Sequence, residues 1–151
     1  MVVRVCVLAC LTVLAAGSGE PGVRAHFIGG TVASIPANSG ARLDLTGGEA
    51  LLFRVGSSDL RIPYARINTI EYGQKVNRRY AEAVLISPML LLAKSRKHFV
   101  TIGYVDERGA QQALVMQVEK GDIRMVLASL EARSGRRVEY QDDEARKAGK
   151  G

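Results

Sequence analysis

Apolar and polar positions alternate along most of this chain. From Ala50 to Val55, Leu51, Phe53 and Val55 face away from Leu52 and Arg54. Gly56-Ser57-Ser58 then turns the chain into Asp59 to Tyr64, where Leu60, Ile62 and Tyr64 share a face, so the two runs predict a hairpin. Upstream, His26 to Ile35 predicts a strand with an irregularity at Gly29-Gly30, Pro36 to Gly40 a turn, and Arg42 to Leu45 a short strand closed by Gly47-Gly48. Downstream, Ala65 to Tyr72 stays extended with Ile67, Ile70 and Tyr72 apolar. Phe99 to Val105 alternates Val100, Ile102 and Tyr104 against Thr101 and Gly103. The polar turn Asp106-Glu107-Arg108-Gly109 leads into Gln112 to Val118, with Leu114, Met116 and Val118 on one face.

The period changes at Gly121-Asp122. Ile123, Val126, Leu127 and Leu130 recur at helical spacing, with Asp122 as the candidate N-cap and Ser134-Gly135 as the stop. Seven strands followed by one amphipathic helix predict a mainly β fold, an antiparallel sandwich or barrel whose open end the helix closes. Residues 25–135 form this expected domain. Residues 136–151, DDEARKAGKG among them, are too polar to join a core and are expected as a charged, flexible tail.

One segment breaks the alternation. Ala83 to Ala93, AVLISPMLLLA, is uncharged, and if helical it is apolar around nearly its whole circumference, with Pro88 kinking or breaking it. Burying Val84, Leu85, Ile86, Met89, Leu90, Leu91 and Leu92 is worth about 1.5 to 3 kcal/mol each, so exposure to water is the option to reject. At 11 residues the run is short of the roughly 20 that span a bilayer, which leaves a buried, interfacial or dimer-forming element. Lys75, Arg78 and Arg79 precede it, and Lys94, Arg96 and Lys97 follow. These cations are either headgroup anchors beside an anionic surface or a solubilising rim. The insert, residues 79–95, is the strongest functional clue in the chain.

Residues 1–18 read as a secretory leader: Arg4, an apolar run from Val5 to Ala16, and small residues Gly17 and Ser18. Both cysteines, Cys6 and Cys10, fall inside it, so a processed protein has no disulfide, thiolate nucleophile or Cys-ligated metal. Val7-Leu8-Ala9-Cys10 distantly resembles a lipobox and leaves lipidation as an alternative. Processing lowers the formal charge from +6 to +5. With no Trp and its Phe and Tyr interleaved with strand positions, the chain lacks the stacking platform of a nucleic-acid binder, and no nucleic-acid partner is expected.

The order of seven strands and a closing helix, with Leu51-Leu52-Phe53-Arg54-Val55, Ile62-Pro63-Tyr64-Ala65-Arg66-Ile67 and Ile70-Glu71-Tyr72, resembles bacterial pleckstrin-homology-like domains over Phe27 to Gly135. The resemblance implies an interaction module, often at membranes, with no shared catalytic residues. The insert before the sixth strand departs from a minimal domain of that kind, and so does export. Phosphoinositide recognition is therefore not carried over.

Sites of chemistry are sparse. His26 and His98 are far apart with no carboxylate pair or cysteine at ligand spacing, Gly29-Gly30 and Gly47-Gly48 lack the context of a phosphate loop, and Ser57, Ser58 and Ser87 sit in no nucleophile elbow. No cofactor, metal or catalytic residue is expected. The sequence supports an exported, non-enzymatic module that associates with an anionic membrane surface or an envelope protein through the insert and its basic rim. The alternatives are a homo-oligomeric structural protein with the insert in its core or dimer seam, and a small enzyme without a recognisable motif.

Overall fold

The computed structural model describes residues 21–32, 34–74 and 97–150. Its elements, in chain order, are β1 (Val23–Gly30), β2 (Ser39–Asp44), β3 (Ala50–Val55), β4 (Ser58–Pro63), a 3-10 turn (Tyr64–Arg66), β5 (Ile67–Gly73), β6 (His98–Val105), β7 (Gln111–Val118), α1 (Ile123–Ser134), β8 (Val138–Tyr140) and α2 (Asp143–Lys150). The strands form one curled, half-barrel sheet in the order β4-β3-β2-β1-β7-β6-β5-β8. Neighbours are antiparallel except β5 and β8, which run parallel.

The alternation in the sequence becomes the two faces of this sheet. Phe27, Leu43, Leu51, Phe53, Ile70, Tyr72, Val100, Ile102, Leu114 and Met116 line the concave face and belong to one buried cluster. Phe27 and Phe53 meet edge-on with ring centroids 5.9 Å apart. Helix α1 adds Ile123, Val126, Leu127 and Leu130 to the same cluster, the stripe read from its period. Gly135 ends the helix at φ 68°, a left-handed conformation open to glycine, and its N–H donates to the Glu131 carbonyl at 2.9 Å. Asp122 stands at the N-cap position, but its carboxylate makes no capping hydrogen bond.

The register slips at a bulge between Phe27 and Gly29, where the sequence showed its glycine pair. Beside it, a Cβ on Gly30 would come within 2.6 Å of the Ala113 carbonyl oxygen, so β1 and β7 meet too closely for any side chain there. Tyr64 to Arg66, read as extended chain, instead make the 3-10 turn that carries the chain from β4 to β5.

The strand count differs from seven because of the C-terminus. Residues 136–151, expected to be a flexible tail, contribute β8 and α2. Val138 pairs beside Ile70 and Tyr140 beside Tyr72, and their alternation with Glu139 spans three residues, too few to register as a period. Helix α2 is polar except at Ala145 and Ala148, one turn apart. Ala145 is fully buried in the cluster, and the Asp142 carboxylate caps the helix by accepting the Ala145 N–H at 2.6 Å.

Candidate functional site

The insert side chains Val84, Leu85, Ile86, Met89, Leu90, Leu91 and Leu92 lie outside the described residues, as do the rim residues Lys75, Arg78, Arg79, Lys94 and Arg96 and the leader. Lys97 is the rim residue within them, half-exposed and directly before β6. The structure fixes the two points from which the insert departs. Gly73 at the end of β5 pairs with Phe99 at the start of β6, so Gln74 and Lys97 stand on adjacent strands at one end of the sheet.

That end is basic on both faces. On the concave side a cavity of about 530 Å³ opens between Gln74, His98, Lys120, Arg124, Glu144, Lys147 and Ala148. Lys120 comes from the turn after β7, Arg124 from the first turn of α1 and Lys147 from α2. All three are exposed, and among the described residues none is in an ion pair. On the convex side, Arg24, Arg42 and Arg54 stand directly opposite one another on β1, β2 and β3. Like charges in cross-strand register oppose sheet formation, and here neighbours offset part of that cost. Arg54 lies 3.8 Å from Asp44 and 3.9 Å from Asp59, while Arg42 donates to the Gly22 carbonyl at 3.3 Å.

His98 forms the cavity's inner wall. Its ring stacks on Tyr72 at 6.0 Å, and the Tyr72 hydroxyl and His98 Nδ1 share a hydrogen bond of 2.5 Å. Burial pushes the Tyr72 hydroxyl pKa up and keeps it neutral. Burial, with Lys120 nearby, holds the His98 pKa below its ordinary value of 6.5. On acidification the unfolded ring therefore takes up its proton before the folded one. Stability is full above that ordinary value and declines as pH falls towards the lower pKa of the folded ring. Melting temperatures between pH 8 and 5 should show this fall, and His98→Gln should flatten it. A parent profile already flat across that interval would refute the coupling.

The sequence singled out the cations next to the insert and missed Lys120, Arg124 and Lys147, which stand 22 or more positions beyond His98 and share a cavity with it only through the topology. The one signal available was Arg124 in the first turn of a helix, where a cation runs against the helix dipole.

The convex face carries a second feature. Ile28, Phe99 and Val115 are buried, at 0, 4 and 0 % exposure, yet lie outside the concave cluster that α1 and α2 complete. Among the described residues no helix is long and apolar enough to cross a membrane, and no group of three or more His, Cys, Asp or Glu could hold a metal ion. The chain matches no known family model and no curated protein sequence.

Proposed function

We propose that this chain is an exported, non-enzymatic interaction module of pleckstrin-homology-like type. It docks onto an anionic membrane surface or an envelope protein through the apolar insert 79–95 and the basic residues at its foot. The observation that carries this reading is the setting of the insert's two ends. The segment that carries the apolar run leaves and returns at adjacent strands beside Lys120, Arg124 and Lys147, which have no ion-pair partner among the described residues, so insertion of the apolar part would bring these cations to the anionic layer, at about 1 kcal/mol each.

A second reading has its own support. The buried Ile28, Phe99 and Val115 lie on the face away from α1, which favours a structural role in which the insert serves the fold or a dimer seam. Charge in the insert separates the two. Under the docking reading, Leu90→Glu with Leu91→Lys abolishes sedimentation with vesicles rich in anionic lipid and leaves the melting temperature unchanged. Under the structural reading the same variant lowers the melting temperature or dissociates an oligomer. A parent protein that sediments with neither anionic nor neutral vesicles, and captures no envelope protein, would end the docking reading.

A further inference from the structure

We propose that the cavity bounded by His98, Lys120, Arg124 and Lys147 is a binding site for a phosphate group. The inference deepens the docking reading by naming the chemistry its basic foot recognises. Donor-bearing side chains dominate the cavity: the Gln74 amide, the His98 imidazole, two ammonium groups and a guanidinium, against the single carboxylate of Glu144, which is engaged in an interaction of its own.

Elsewhere on the described surface, three arginines are matched by acids. Arg61 lies 3.8 Å from Glu49, Arg146 3.9 Å from Asp143, and Arg54 sits between Asp44 and Asp59. At this end of the sheet, three cations from three different elements line one cavity, and among the described residues no acid is paired to any of them. The repulsion among them is relieved by an anion placed between them. A carboxylate ligand offers two oxygens on one planar group. A phosphate offers several oxygens in a tetrahedral array and up to two charges, and so accepts from a guanidinium, two ammonium groups and the imidazole together. Burial, and after it the nearby charge of Lys120, lowers the His98 pKa.

The phosphate could belong to a lipid headgroup or to a free phosphate monoester, and one experiment distinguishes them. Nuclear magnetic resonance of the His98 ring and of the amides of Lys120, Arg124 and Lys147 is followed at fixed ionic strength. The additions are inorganic phosphate, then glycerol 3-phosphate, then phosphatidylcholine vesicles with and without phosphatidic acid. The expected result is a saturable shift at these four residues, weakened about tenfold by Arg124→Gln or Lys147→Gln and unchanged by Arg61→Gln. Saturation by the soluble phosphates with no vesicle binding supports the site while ending the membrane reading. Vesicle binding that the cavity variants leave intact overturns the site while sparing that reading. Shifts that chloride reproduces at equal ionic strength also overturn it. Because the three cations are exposed, the variants should melt like the parent; Lys120→Gln replaces any that does not.

Discussion

Truncating Leu127 to alanine is expected to lower the unfolding free energy by about 2 to 5 kcal/mol. The side chain is 2 % exposed at the centre of the α1 stripe, within the cluster that lines the concave face. It is also confined from the far side. A Cβ built on Gly149 of α2 would lie 3.3 Å from Leu127 Cδ1, so sheet and helix both hold the walls of the cavity that truncation leaves. Such a site relaxes poorly, which favours the upper part of the range. Urea unfolding measures the loss as a lower midpoint at unchanged slope. A midpoint equal to the parent's would mean that α1 does not close the sheet.

Ending the chain after Gly135 should be comparably damaging. The deletion removes Val138 and Ala145 from the core and Tyr140 from its margin. Tyr140 meets the Tyr72 ring edge-on at 6.1 Å, and the deletion also breaks the bond from the Gln141 N–H to the Tyr72 carbonyl at 3.1 Å. Val138 contributes about 1.5 to 3 kcal/mol and the Ala145 methyl about 0.8 kcal/mol, with the newly exposed surface of Tyr72 in addition. A truncated protein that melts with the parent would restore these residues to a tail without structural role.

These two sites show how unevenly the fold was legible. Strands β3 to β7 and helix α1 announced themselves because each repeats its apolar residue several times on one face, as Leu51, Phe53 and Val55 do, and because Gly135 marks a stop by its backbone freedom. Strand β8 and helix α2 did not. Each commits one or two small or isolated apolar residues to the core, Val138 in one and Ala145 in the other, and local composition outvotes so few positions. The phosphate cavity was hidden for a different reason. Lys120, Arg124 and Lys147 are ordinary surface residues in sequence, and their lack of acidic partners is a property of three dimensions.

The sheet's order of strands bears on how copies of this protein can meet. An open sheet ends in two strands whose outer N–H and C=O groups can recruit another chain, and among the described strands these are β4 and β8. Strand β4 carries exposed Asp59 and Arg61 and finishes at Pro63, which has no N–H to give. Strand β8 is three residues long and follows exposed Arg136 and Arg137. Both margins are thus poor templates for growth by strand addition, and a crowded membrane surface would not drive this sheet to polymerise edge to edge. Among the described strands, neither margin offers a route for self-association by strand addition.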